Sequence, residues 1–321
     1  MTSGMFDLSG KRVYVAGHRG MVGSALVRRL TSENCTILTA PRSELNLQDQ
    51  HAVRHWFSQE KPDAVFLAAA KVGGILANDT YPADFLYENL MIEANVIEAA
   101  YRSDVKKLLF LGSSCIYPKF ASQPIEEDAL LTGPLEATNE WYAIAKIAGI
   151  KLAQAYRLQY GCDFISAMPT NLYGPGDNFD LKGSHVLPAL LRKAHKAKLD
   201  EANEIEIWGT GAPRREFLHV DDLADACVFL MKTYSDHEHV NVGSGSDVTI
   251  LELTEMVMRA VGFIGEVVRD ESKPDGTPRK LMSAAKLQAM GWYPKIALET
   301  GIASTYKWFL DNQDEARISV A

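Results

Sequence analysis

The strongest constraint on the fold is a rhythm. From Arg12 to Pro169, five strand-length runs, RVYVA, CTILTA, DAVFLAAA, KLLFLGS and CDFISAMP, alternate with helix-length stretches at 21–31, 51–60, 83–103 and 142–160. Short β-branched runs separated by helices long enough to cross over a sheet are the signature of a parallel sheet covered on both faces. A doubly wound α/β architecture is therefore expected.

Beyond Pro169 the rhythm loosens into NLYGPGDNF, a Gly/Pro/Asn-rich loop, then an expected helix at 185–198 and a strand EIEIWG. HVDDLADACVFLMKT reads as a helix capped by Asp221 and VNVGSG as a strand returning to the main sheet. ILELTEMVMRAVG, SAAKLQAMG and LETGIASTYKWFLDN read as further helices, and KPDGTPRK as a turn-rich basic loop. At 321 residues the chain exceeds what one hydrophobic core usually serves. The expected division is a sheet domain over 10–172, rejoined by 220–243, and a smaller C-terminal α/β substrate lobe over 173–219 and 244–315.

Acidic residues outnumber basic ones 41 to 33, and no Lys/Arg run could track a phosphate backbone, so nucleic acid is not an expected partner. The apolar stretches are strand-length and the first ten residues lack a charged-then-apolar leader pattern, so neither a membrane nor export is expected, and a cytoplasmic setting is. Cys35, Cys115, Cys162 and Cys227 form no CxxC pair, so neither a zinc site nor a disulfide framework is indicated and no metal is expected.

Where the first strand meets the first helix stands Gly17-His18-Arg19-Gly20-Met21-Val22-Gly23. At that junction backbone N–H groups and the helix dipole face a pyrophosphate, and glycines let the two approach. The spacing is GxxGxxG rather than the more usual GxGxxG, and only its place in a βαβ unit gives it meaning. An NAD site normally ends its second strand in an acidic residue for the ribose; this one ends Thr39-Ala-Pro-Arg42, which suits a 2′-phosphate, with Arg19 as a second positive charge. NADP(H) is the expected cofactor, although Glu44 is within reach of a ribose.

Tyr142 and Lys146 stand one helical turn apart on one face. A phenol is a poor proton carrier at neutral pH, and a nearby ammonium would favour its ionised form. About one such spacing is expected by chance among 12 tyrosines, so context decides. The context is Ser113-Ser114-Cys115, placed after the fourth strand at the carboxyl edge, where ligands of such sheets bind.

AGHRGMVGSA, LAAAKVGGI, FLGSSCIYPK, YAIAKIAG, MPTNLYGP, REFLHVDD and KPDGTPRKL, spread over nearly the whole chain, resemble the extended short-chain dehydrogenase/reductase family. Within it they resemble the epimerase/reductases that act on GDP-4-keto-6-deoxymannose in nucleotide-sugar biosynthesis. The resemblance implies a Rossmann sheet, NADP(H), a GDP-sugar substrate and a homodimer formed through the helices at 83–103 and 142–160. It implies Ser113, Tyr142 and Lys146 as a catalytic triad, with Cys115 and His185 as an epimerisation pair. It places the cofactor on the 17–23 loop, Arg42, Asn46, Leu47, Leu111, Gly112, Ser113, Ser114, Lys146, Pro169, Thr170, Asn171, Leu172 and His185. Lys193, Trp208, Arg215, Asp275 and Lys280 would hold the GDP-sugar. Trp141 stands where the family often has proline, and Lys193 where an arginine is expected.

A C4 ketone acidifies the hydrogens at C3 and C5, so inversion there needs a base on one face and an acid on the other. Cys115 is the expected base and His185 the expected acid, the thiol needing a helix N-terminus or a cation to lower its pKa. Read alone, Cys115 would be a buried structural thiol and His185 a surface or capping residue; His219 reads as structural, and Cys35, Cys162 and Cys227 as core thiols. The rival readings are a redox-neutral nucleotide-sugar 4-epimerase or dehydratase, and a non-catalytic NADP-binding protein. A dehydratase would carry an acidic residue where this chain has Cys115, and a pure binder would have no use for the Tyr142/Lys146 pair.

Overall fold

The computed structural model describes residues 5–313 apart from 181, 182 and 274. In chain order the elements are β1 (Arg12–Ala16), α1 (Met21–Leu30), β2 (Thr36–Leu38), α2 (Gln50–Glu60), β3 (Ala64–Leu67), α3 (Ile75–Thr80), α4 (Pro82–Arg102) and β4 (Lys107–Leu111). They continue with α5 (Glu140–Tyr160), β5 (Phe164–Pro169), β6 (Asn171–Tyr173), α6 (Val186–Leu199), β7 (Glu204–Trp208), β8 (Arg214–His219) and α7 (Val220–Thr233). Last come β9 (Val240–Val242), β10 (Asp247–Thr249), α8 (Ile250–Val261), β11 (Glu266–Asp270), β12 (Arg279–Lys280), α9 (Ala285–Ala289) and α10 (Leu298–Asp311).

Six parallel strands form the main sheet in the order β2-β1-β3-β4-β5-β9, so the chain reverses direction across the sheet between β1 and β3. This is the expected doubly wound α/β fold. Its inner strands are buried on both faces, and alternate residues serve opposite cores. Val13, Val15, Phe66, Leu109 and Ile165 pack with α1 and α7 through Leu26, Leu30, Leu223 and Met231. Tyr14, Val65, Leu67, Leu108, Phe110 and Phe164 pack with α2, α4 and α5 through Phe57, Val96, Ile97, Ile147 and Ile150.

A third core joins α6, α8 and α10 to β7 and β8 through Leu187, Leu191, Ile207, Phe217, Leu253, Val257, Ile302 and Phe309. Around β8 a small mixed sheet forms, with β10 antiparallel to it and β6 and β12 parallel. β6 follows β5 after a single residue, which couples this sheet directly to the main one.

Several elements differ from the sequence reading. The second strand is only three residues long, because CTILTA opens at both ends into loop. The helix expected from residue 142 starts at Glu140, two residues before Tyr142. The helix expected to be capped by Asp221 begins at Val220, and its cap is His219, whose Nδ1 accepts from the Asp221 backbone N–H at 3.2 Å. An imidazole takes the role that the acidic residue would usually have, because Asp221 already lies inside the first turn and pairs with Arg28. β11 had no counterpart in the sequence reading, and the basic loop contains β12. Cys227 is a core thiol, whereas Cys35 and Cys162 are only half-buried.

Candidate active site

Beyond the carboxyl ends of β1 and β3, where the strand order reverses, a cavity of about 690 Å3 opens at the edge of the sheet. Its floor is the 17–23 turn. Gly17 has φ +84°, and a Cβ there would meet the Ala69 backbone at 2.9 Å. A Cβ on Gly23 would sit 2.0 Å from the Gly17 carbonyl oxygen, so the turn closes on itself only with glycine at this position. Helix α1 starts from Gly20 without a side-chain cap and has no acidic residue in its first turn. The positive end of its dipole therefore faces the cavity uncompensated.

All the positions to which the resemblance assigned the cofactor line this one cavity, from Gly17–Gly23, Arg42, Asn46 and Leu47 to Leu111–Ser114, Lys146, Pro169–Leu172 and His185. Arg19 and Arg42 are exposed at its rim; among the described residues the nearest carboxylate to Arg42 is Glu88, at 4.0 Å. His18 is pushed below the usual imidazole range by desolvation and by Arg19, with Glu44 opposing. A glycine cradle too tight for a Cβ, a helix N-terminus and two accessible guanidinium groups fit a dinucleotide carrying an extra phosphate.

Ser113, Tyr142 and Lys146 line the same cavity. Ser113, two residues past β4, caps a short 3-10 turn over Ser114–Ile116, its Oγ accepting from the Cys115 backbone N–H at 3.4 Å. That turn sends the Cys115 side chain into the protein beside Ser113, buried and outside the cavity lining. On α5, the Lys146 Nζ donates to the Leu111 carbonyl oxygen at 3.1 Å and lies 4.8 Å from the centre of the Phe110 ring. It lies 5.8 Å from the centre of the Tyr142 ring.

Lys146 also forms an ion pair that nothing in the sequence reading anticipated. Glu93 of α4 approaches its Nζ at 2.9 Å, with both side chains 2% exposed. The available signal was an acidic residue in phase with Phe85, Asn89, Val96 and Ala100 on the buried face of α4. From the same helix Phe85 meets the Tyr142 ring edge-on at 6.3 Å.

The protonation states differ from the simple expectation. Tyr142 is not pulled down by Lys146: burial first, then Cys115 once ionised and the Glu93 carboxylate, push its phenol well above the ordinary value. Cys115 is raised by burial, with Lys280, the Ser113 hydroxyl and Lys146 pulling the other way. His185 precedes α6 with its side chain open to the cleft, yet it is set deep enough among protein atoms for desolvation to lower its pKa. Resting Cys115 is thus a thiol and resting His185 a neutral imidazole, the reverse of a ready base and a ready acid.

His185 is brought over the cavity by its loop. The Gly74 N–H donates to the Gly183 carbonyl oxygen at 3.2 Å, and the Asp180 carboxylate accepts from the Gly183 N–H at 2.8 Å.

The five positions expected to hold substrate lie outside this cavity, on a path leading away from Cys115. Lys280 of β12 is the register partner of Arg215 on β8, and its pKa is lowered by desolvation and raised again by Cys115. Arg215 is lowered by desolvation, against an upward pull from Asp275. Asp275 in turn accepts from the Thr210 N–H at 2.7 Å and from its hydroxyl at 2.9 Å. Two residues earlier Trp208 stands 63% exposed, with Lys193 and Lys273 each 5.9 Å from its ring centre. Lys273 was not anticipated, since a lysine in a turn-rich loop looks like any solvated charge.

Residues 13–243 match the family described as the NAD dependent epimerase/dehydratase family. The chain belongs to that family. Among curated proteins of this kind it is 63% identical to a GDP-L-fucose synthase of Sinorhizobium fredii over 96% of this chain and 98% of the relative. It is 56% identical to the GDP-L-fucose synthase of Escherichia coli over 97% of this chain and all of the relative. Among solved structures, a GDP-L-fucose synthetase from Naegleria fowleri bound to NADP matches with a TM-score of 0.90 at 28% identity, covering 98% of this chain and 99% of that one. The epimerase/dehydratase family membership accounts for the glycine turn, the Tyr142/Lys146 helix and the six-stranded sheet in one architecture. Among the described residues no helix is long and apolar enough to cross a membrane, and no group of ligating side chains could hold a metal.

Proposed function

We propose that this protein is an NADPH-dependent oxidoreductase and isomerase that performs 3,5-epimerisation and 4-reduction of GDP-4-keto-6-deoxy-D-mannose to give GDP-L-fucose. The observation that carries the reading is the convergence of Ser113, Tyr142 and Lys146 on the cavity that holds the glycine turn, with Cys115 immediately beside Ser113 and a cationic path leading from it toward Trp208. The similarity to GDP-L-fucose synthases over almost the whole chain supports the same substrate.

The α1 N-terminus and the 17–23 turn would bind the pyrophosphate, Arg42 and Arg19 the 2′-phosphate, and Lys146 the nicotinamide ribose. When bound, NADPH supplies the hydride that reaches C4 of the sugar. The Ser113 and Tyr142 hydroxyls donate hydrogen bonds to the C4 oxygen, where negative charge develops both in the enolate and in the alkoxide. Cys115 takes a proton from the ring carbon next to the ketone, leaving the enolate, and His185 returns one to the opposite face, giving inversion. In the last step Tyr142 passes its phenolic proton to the C4 alkoxide. Arg215 and Lys280 would neutralise the diphosphate, and Trp208 would stack on the base.

The working form of the epimerisation pair is thiolate with imidazolium, a minor form given the opposite resting states of Cys115 and His185. Lys280 and Lys146 are the charges that favour its thiolate half. The homodimer expected from the resemblance would use the face of α4 and α5 on which Tyr87, Tyr101, Trp141, Ile144 and Tyr160 are exposed. A reduced cytoplasmic setting suits a mechanism that needs a free thiol and NADPH.

Incubation with GDP-4-keto-6-deoxymannose and NADPH in deuterated water tests the reading. Stoichiometric loss of NADPH absorbance with label at C3 and C5 is expected; label without NADPH loss would replace it with a redox-neutral epimerase.

A further inference from the structure

The Tyr142/Lys146 pair is assembled by two helices, and the second one carries charge. Tyr142 and Lys146 lie one turn apart on α5. Across from them α4 places Phe85 against the Tyr142 ring and Glu93 against the Lys146 ammonium. Room for the carboxylate is made from the α5 side: a Cβ on Gly149 would lie 2.7 Å from Glu93 Oε2 and 2.4 Å from the Phe110 ring. Among the described residues neither carboxylate oxygen has a partner besides Lys146, whose charge pulls the Glu93 pKa down against the larger rise from burial, so that ion pair is the interaction that justifies burying it. A buried carboxylate with one cationic neighbour is costly, and a protein that needed only packing here would be better served by an apolar residue.

We propose that Glu93 is a positioning residue for the reduction: it pins the Lys146 ammonium between its own carboxylate and the Leu111 carbonyl and balances its charge, so that Tyr142 is kept as a protonated phenol. The inference rests on Tyr142 being the proton donor to the C4 alkoxide. A phenol beside an unbalanced ammonium drifts toward phenolate, which suits alcohol oxidation; a reductase needs the proton in place before hydride arrives. Among the described residues, the charged or titratable groups acting on or approaching the Tyr142 phenol are Glu93 from α4, Cys115 from the turn after β4 and Lys146 from its own helix. Glu93, and Cys115 when it is ionised, favour the protonated phenol, in line with its raised pKa. Lys146 keeps its third N–H for the cavity that it lines.

The test uses Glu93→Gln, which keeps the shape and removes the charge, and Glu93→Asp, which keeps the charge and withdraws it by one methylene. The pH profile of kcat for ketone reduction should lose its alkaline side at least about one unit lower in Glu93→Gln, a tenfold weaker hold on the proton. A second readout needs no substrate or cofactor. In the ultraviolet difference spectrum between each protein and its Tyr142→Phe counterpart, the tyrosinate signal should begin about one unit lower in Glu93→Gln. Glu93→Asp should keep the wild-type alkaline limb while kcat falls roughly tenfold from misplacement. If Glu93→Gln folds poorly, the tyrosinate onset in its soluble fraction still decides. Coincident limbs and coincident tyrosinate onsets in wild type and Glu93→Gln would overturn the proposal, leaving Glu93 a purely structural group. Retention of full reduction by Tyr142→Phe alone would instead overturn the role of Tyr142 itself.

Discussion

At the residue scale, Tyr142 and Cys115 should separate the two halves of the reaction. Tyr142→Phe removes the proton proposed to end the reduction and leaves Cys115 and His185 untouched. Steady-state NADPH oxidation should fall about 10²- to 10⁴-fold while deuterium still enters the substrate ring, with Ser113 alone steadying the enolate. Loss of both signals together would mean that the phenol is also indispensable to enolisation. The cofactor's extra phosphate gives a second residue-level expectation. Arg42 is exposed at the rim, and among the described residues no carboxylate is nearer than Glu88 at 4.0 Å, so its guanidinium is available to the ligand. Arg42→Ala should raise KM for NADPH roughly tenfold, or about 1.4 kcal/mol, and barely change KM for NADH. Equal losses for both cofactors would assign Arg42 to the fold of the loop instead.

At the scale of elements, two junctions carry the load. The β1–α1 turn closes so tightly that a methyl group on Gly23 would overlap the Gly17 carbonyl. Gly23→Ala should therefore cost about 3 kcal/mol in denaturant unfolding together with most dinucleotide affinity, because relief requires α1 to move off β1. The second junction ties α1 and α7 to the segment after α9. Burial works against the Asp225 carboxyl, but hydrogen bonds from Lys295, Arg29 and the Trp292 indole outweigh it and draw the pKa down to about 2. A carboxyl depressed in the folded state contributes stability above the unfolded value of 3.8 and loses it as pH falls through about 2. Urea midpoints should drop across that window, and Asp225→Asn should flatten the drop while lowering stability at neutral pH.

At the scale of the whole molecule, α5, which carries Tyr142 and Lys146, also bears an exposed apolar face. Ile144 and Trp141 point outward from the first turns of α5 while Lys146, between the cores, points inward. If two copies meet on that face, Ile144→Arg should convert the particle from about twice 35.5 kDa to the single-chain mass in equilibrium sedimentation. A wild-type mass of one chain would sink the dimer. Because α4 and α5 hold Tyr142, Lys146, Phe85 and Glu93, the monomeric variant is also expected to lose activity without losing its fold.

What was legible in the sequence was whatever depends on neighbours along the chain. Strand and helix periodicity, the glycine spacing at 17–23 and the one-turn spacing of Tyr142 and Lys146 are local patterns, and they sufficed for a doubly wound sheet with its cleft at the carboxyl edge. The weaker parts of the reading fell where a contact spans many residues. His219 rather than Asp221 caps α7, because the helix starts two residues earlier than a pattern of acidic caps suggests. β11 and β12 are strands only because β7 and β8 offer edges to pair with. Above all, the charge around Tyr142 was decided by tertiary structure. Lys146 looked like the group that sets the phenol, but the carboxylate that balances it comes from 53 positions earlier, on another helix, and burial outweighs both. A sequence fixes which groups can carry a proton; the packing around them determines which hold one at rest, because desolvation and opposing charge act through space and not along the chain.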